Sequence, residues 1–384
     1  MANERRYELD WLRVLAFMVL ILFHAGMAFV EFPWHIKNQD TSHGLTILWG
    51  FLHGWRMPLL FLISGAGIWF ALGKRGALGF IGERSRRLLI PLVFGVLVVV
   101  PPQVYLERLS QGVEFSSYLD FYPHFFEGYY FSAEGGNFSP HHLWFIGSLF
   151  VYCLVLAPVL VLLRSARGDA FRAWFDRFFA RGINIYLLVV PFYLGYLIWP
   201  GGFFFNSGSA LLIVLGFLLV SSEAIWPRLE ALRNGSLLLA LVLFALALTS
   251  YFSPGGETRL RLFDLLSIPA ALTMLFAILG FARRYLAFNN RFLAYANEGV
   301  YPYYILHQTF TVIIVYWLVP LNMNLWLKFG LSLAGTVIAT ALTYHLLIRP
   351  FDLIRPLFGL KPNSPCLSDR KATGTVGRVA QDKP

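Results

Sequence analysis

The chain has 384 residues, of which 57% are hydrophobic and only 14% charged, with a formal net charge of +10. That balance excludes an ordinary soluble globular protein and points to an all-α, polytopic membrane protein. In a soluble chain the positive charge would suggest a nucleic-acid partner; here its distribution between apolar segments explains it, and no nucleic-acid partner is expected.

Ten apolar segments are expected to cross a bilayer, at 10–30, 45–72, 88–106, 142–163, 183–199, 207–222, 235–252, 262–282, 300–319 and 325–348. Most approach the ~20 residues that a spanning helix needs, the fifth and sixth being short. With both termini cytoplasmic, six of the 31 Lys and Arg residues fall on the outer side: Lys37, Arg56, Arg108, Arg259, Arg261 and Lys328. The other 25 fall inside, as the positive-inside rule requires. The first apolar run is too long for a cleaved signal peptide and no small-residue cleavage site follows it. Residues 1–350 read as one ten-helix domain, followed by a cytoplasmic tail over 351–384 that is disordered from about 361. Cys153 and Cys366 are not expected to form a disulfide. No internal repeat stands out.

The first segment carries Arg13 and His24, eleven residues apart and therefore on one helical face, about 16 Å apart along the axis. Ionisable groups at such depth normally face a bundle interior or a wet cavity. An imidazole there suits a general base that takes a proton from a hydroxyl, although a lone histidine in an apolar helix is often structural. Trp34 and His35 lie just beyond the segment's outer end. The second segment holds His53 and Arg56 near its outer end, then Ser64, Gly65 and Gly67, which allow close helix packing.

Arg84, Arg86 and Arg87 precede the third segment. They satisfy positive-inside charge, and Arg84 and Arg87, at i and i+3, can also grip one phosphate together. The outer loop over 107–141 is acidic, with Glu107, Glu114, Asp120, Glu127 and Glu134, and rich in aromatic residues. Stacked rings and carboxylates suit a sugar; an interfacial aromatic belt has the same composition. The loop ends in His141-His142-Leu143-Trp144-Phe145. A basic amphipathic stretch over 164–182 reads as a cytoplasmic surface helix. No metal site is expected, because His35, His141 and His142 have no ligand partners at suitable spacing.

Three of these features together resemble the acyltransferase-3 family: Arg13 and His24 in the first segment, Arg84-x-x-Arg87 before the third, and His142-Leu143-Trp144-Phe145 opening the fourth. Finer marks are similar to its glucan succinyltransferase branch, the OpgC or MdoC proteins. These are Trp34-His35, the segment HGWRMPLLFLISG from His53 to Gly65, and the Tyr301-to-His307 stretch of the ninth segment. The similarity covers residues 9–350.

The resemblance implies a ten-helix bacterial inner-membrane enzyme that moves an acyl group from cytoplasmic acyl-CoA (succinyl-CoA or acetyl-CoA) to hydroxyls of a periplasmic glucan. It implies no bound cofactor. Arg84, Arg87 and Arg86 would hold the CoA phosphates, the pantetheine arm would pass Arg13, and His24 would deprotonate the acceptor, with an acyl-histidine as the mechanistic alternative. Ser64, Arg56 or His307 would stabilise the oxyanion. His53 and Arg56 would meet the distal carboxylate of a succinyl group, in a pocket completed by Trp34, His35, His142 and Trp144. An O-acetyltransferase acting on a surface polysaccharide or lipopolysaccharide, and a transporter or flippase, are the alternatives. The expected partners are the lipid bilayer, acyl-CoA and the periplasmic glucan or another polysaccharide acceptor; an oligomer is open.

Overall fold

The computed structural model describes residues 5–132, 135–199, 206–253 and 256–363. Glu134, Cys366 and the tail from 364 lie outside the described residues, as do the side chains of Arg75 and Arg259. The apolar runs form helices, since a backbone surrounded by hydrocarbon must satisfy its own hydrogen bonds. In chain order they are α1 (Tyr7–Gly26), α2 (His43–Lys74), α3 (Gly76–Ser110), α4 (Tyr118–His124), α5 (Trp144–Val155), α6 (Ala157–Arg164), α7 (Asp169–Phe179), α8 (Val189–Ile198), α9 (Ser207–Ser221), α10 (Ile225–Phe252), α11 (Gly256–Tyr285), α12 (Arg291–Leu318) and α13 (Leu325–Thr343). No strand occurs among the described residues.

Among the described residues, six helical stretches are long and apolar enough to cross a membrane: Tyr7–Phe29, His43–Lys74, Gly76–Ser110, Ile225–Phe252, Leu260–Tyr285 and Leu325–Ile348. The fourth expected segment is a pair, His141–Val155 and Ala157–Arg164, bent by 58°. The fifth and sixth are short apolar helices, Asn184–Ile198 and Ser207–Ser221. The ninth lies within α12, whose run of Tyr301, Tyr303, Tyr304, His307, Gln308 and Thr309 dilutes its apolar character with groups that turn out to build the site.

Polar residues start the helices where the first turn has no internal acceptor. Ser42, Asn206 and Asn290 side chains accept the backbone N–H three residues on, at 3.3, 2.8 and 2.7 Å, opening α2, α9 and α12. Asp176 of the amphipathic α7 accepts the N–H groups of Ala224 and Ile225, and so caps α10. Gly76, at φ +69°, breaks α2 from α3 in a conformation that few side chains tolerate.

Two contacts set the backbone around the site. Helices α2 and α9 meet at Gly65 and Gly216: a Cβ on Gly65 would fall 2.0 Å from the Ile213 carbonyl oxygen, and one on Gly216 1.8 Å from that of Leu62. At the end of α1, the Trp49 indole N–H donates to the Phe23 carbonyl at 2.7 Å, and its ring occupies the space that a side chain at position 26 would need. His24 thus sits between two residues, Phe23 and Gly26, that pack on Trp49.

Candidate active site

A cavity of about 780 Å³ opens beside the end of α1. Its wall takes His24 from α1, Trp34 and His35 from the following loop, His53 and Arg56 from α2, His142 and Trp144 from the start of α5, and Tyr304 and Gln308 from α12. Seven residues singled out in the sequence therefore share one chamber. His307 stands directly behind His24.

The histidine pair has a defined proton order. His24 Nδ1 lies 2.8 Å from His307 Nε2, and His307 Nδ1 lies 2.7 Å from the Tyr304 carbonyl oxygen. A carbonyl only accepts, so His307 carries its proton on Nδ1 and presents a lone pair at Nε2. In the neutral pair, His24 then donates from Nδ1, leaving the lone pair on its Nε2. Among the described residues no hydrogen bond occupies that nitrogen. This is the geometry of a base oriented by a second group.

Arg56 is only 3% exposed and has no acidic partner among the described residues. Its guanidinium carbon lies 3.6 Å from the centre of the Phe23 ring, and its Nε and Nη1 are buried without hydrogen-bond partners. A cation–π contact compensates only part of the cost of burying a charge. An anion delivered to the cavity would supply the rest.

Across the chamber, Glu107 is 4% exposed and fully engaged. His35 Nδ1 donates to it at 2.5 Å and the Tyr130 hydroxyl at 2.6 Å. Burial and this carboxylate together hold the Tyr130 phenol well above its ordinary pKa. Gln308 donates to His35 Nε2 at 3.1 Å and to Gln103 Oε1 at 3.0 Å. Both nitrogens of His35 are thus occupied, which makes it a brace rather than a base. The brace ties the outer loop and α3 to α12 one residue beyond His307.

Sequence reasoning missed Gln103 and Gln308, and read Glu107 and Tyr130 only as members of a carboxylate- and aromatic-rich loop suited to a sugar or to an interfacial belt. The available signal was Gln103 and Glu107 at i and i+4 in an otherwise apolar stretch, and Gln308 following a histidine.

The other residues named from sequence lie elsewhere. Ser64 donates to the Leu60 carbonyl of its own helix at 2.7 Å and does not line the chamber. Arg13 sits one turn from Asp10, 3.7 Å away, and faces Gly67 of α2, in electrostatic reach of Arg84 and Arg87. Arg84 lies over the Phe80 ring with its Nε unpartnered. Arg87 contacts Glu83 at 3.6 Å and donates to the Gly359 carbonyl at 3.4 Å. Arg86 is exposed. Arg13, Arg84 and Arg87 form a second, cationic cluster at the opposite end of α1. In the 107–141 loop, Phe121 and Phe125 are fully buried in the main core, Phe121 against Tyr105 of α3, while Tyr130 and Phe131 reach the chamber. No group of three or more metal-ligating side chains occurs among the described residues.

The chamber and the arginine cluster belong to a helical membrane protein, and comparison with known proteins gives its family. Residues 6–345 match the acyltransferase-3 family model, described as an acyltransferase domain, and the chain belongs to that family. It is similar to "Glucans biosynthesis protein C" of Escherichia coli K12 and of Escherichia coli O81 (strain ED1a). Each is 23% identical over 375 residues, covering 94% of this chain and 95% of the relative. No solved structure matches the chain significantly.

Proposed function

We propose that this membrane acyltransferase transfers a succinyl group from cytoplasmic succinyl-CoA to a hydroxyl of a periplasmic glucan, in the bacterial inner membrane. The similarity to glucan biosynthesis proteins supports the acceptor, and the unpaired, buried Arg56 supports a donor with an anionic end. In this reading ten segments cross the bilayer, both termini face the cytoplasm, and the chamber opens to the periplasm.

The observation that carries the chemistry is the His24–His307 pair, because its hydrogen bonds leave one lone pair on His24, a residue of the chamber wall. CoA docks with its phosphates at Arg84 and Arg87, with Arg86 at the rim, and its arm passes Arg13 so that the thioester reaches His24. A glucan hydroxyl enters beside Trp34, Trp144 and Tyr130. His24 Nε2 takes the hydroxyl proton as the oxygen attacks the thioester carbonyl carbon, and His307 stabilises the imidazolium through the Nδ1 proton. The tetrahedral intermediate collapses, the C–S bond breaks, and the leaving thiolate receives the proton from His24. Arg56 holds the distal succinyl carboxylate, with His53 beside it; both also favour the anionic intermediate over the neutral thioester.

The test is transfer by detergent-purified protein of a labelled acyl group to a β-glucan, from succinyl-CoA and from acetyl-CoA. Succinyl transfer by the wild type is expected to dominate, and Arg56→Ala is expected to erase that preference, a change of about tenfold or more. Preferred acetyl transfer by the wild type would overturn the succinyl assignment, and no acyl-CoA turnover at all would overturn the enzyme reading.

A further inference from the structure

Around the arginine end of the bundle, four polar atoms are buried without any hydrogen-bond partner: Arg84 Nε, Asn297 Nδ2, Asn297 Oδ1 and the Tyr301 hydroxyl. Folded proteins leave few such atoms, because each forfeits its bond to water; a local concentration of them marks a place completed by something else. Asn297 and Tyr301 are at i and i+4, so they share one face of α12. Tyr301 lies in electrostatic reach of Arg84 and Arg87. From Asn297 the same helix runs through Tyr304 to His307, about 15 Å at 1.5 Å per residue.

Helix α1 runs alongside in the same direction. Phe17 packs on Tyr304 with ring centres 5.3 Å apart, and His24 meets His307 one level higher. The two helices thus make a seam whose length matches the separation of Arg13 from His24. The unsatisfied groups sit at its cationic end, and the base sits at the other.

Resting on the reading of the chain as an acyl-CoA-dependent transferase, we infer that Asn297 and Tyr301 bind the amide-bearing arm of the CoA thioester as it passes from the arginine cluster to His24. The chemistry is complementary. The arm carries two secondary amides, each one N–H donor and one C=O acceptor. The Asn297 amide offers both a donor and an acceptor, and the Tyr301 hydroxyl and Arg84 Nε–H offer donors for carbonyls. Neither residue touches the reacting atoms, so both act on donor binding and not on the chemical step.

The experiment uses the full-length protein and the two halves of CoA as competitors: pantetheine, which has the arm alone, and adenosine bisphosphate, which has the phosphates alone. Tyr301→Phe deletes a hydroxyl that has no partner in the free protein, so thermal stability should hold or rise. With it, KM for acyl-CoA and the inhibition constant of pantetheine should rise about tenfold, with kcat within about twofold and adenosine bisphosphate inhibition unchanged. Asn297→Leu should behave alike. Variants that weaken both halves equally, or neither, would overturn the inference, as would a wild type that pantetheine does not inhibit. A wild type that turns over no acyl-CoA would remove the proposed function and this inference with it, whereas normal turnover with either of the former outcomes removes the inference alone.

Discussion

At the residue scale the site depends on which nitrogen carries which proton. The Tyr304 carbonyl fixes His307, and His307 fixes His24, so the His24 ring is oriented by a backbone group two steps away. His307→Ala should therefore lower kcat by on the order of a hundredfold while leaving KM for acyl-CoA nearly unchanged; steady-state kinetics on both substrates checks this. An equal rise in KM would instead place His307 in donor binding. The sequence pointed to His24, because an imidazole in an apolar helix is costly and usually faces a cavity, and the structure places it in the chamber wall. It ranked His307 only as a weak oxyanion candidate, since 283 positions separate it from His24 and no local periodicity reports a contact of that range. Ser64 looked suitable by composition, but a serine in a helix interior can satisfy its hydroxyl on the carbonyl four residues back, and this one does.

At the element scale the helices are placed by a few close approaches. Gly65 and Gly216 let α2 and α9 touch through their backbones, and α2 is the helix that carries His53 and Arg56. Gly216→Val should destabilise the protein by about 1–3 kcal/mol or more, since the new Cβ meets a carbonyl oxygen and not a side chain that can turn away. Thermal unfolding in detergent measures it, and an unchanged midpoint would show that the helices part freely. Apolar length located the helices, and the short motif SGAG signalled close packing. The brace of Gln103, Glu107, His35, Tyr130 and Gln308 was not legible, because it joins three elements and a loop far apart in the chain. The aromatic loop was legible only as two alternatives, a sugar site or an interfacial belt; in the structure Phe121 and Phe125 are buried in the core, and Tyr130 and Phe131 line the chamber.

At the scale of the whole molecule, two charged regions lie at opposite ends of α1, with the Arg13, Arg84 and Arg87 cluster at one end and the chamber at the other. In the proposed function, donor and acceptor enter from opposite sides of the membrane and meet at His24. This arrangement predicts the topology. Leu78, 87% exposed beside the arginine cluster, and Leu119, 80% exposed on the aromatic loop, should lie on opposite sides. With Cys153 and Cys366 replaced by Ser, a cysteine at position 119 should react with an impermeant maleimide applied to spheroplasts. One at 78 should react only after permeabilisation. Labelling of both from the same side would contradict the two-sided scheme.

The measurement that bears most directly on the account compares wild type with His24→Ala for transfer of labelled succinyl from succinyl-CoA to β-glucan, alongside binding of CoA and thermal stability. Loss of transfer by several orders of magnitude, with CoA binding and stability retained, is the expected result and places His24 at the chemical step. Transfer that survives in the variant would make His24 a structural residue and contradict the account.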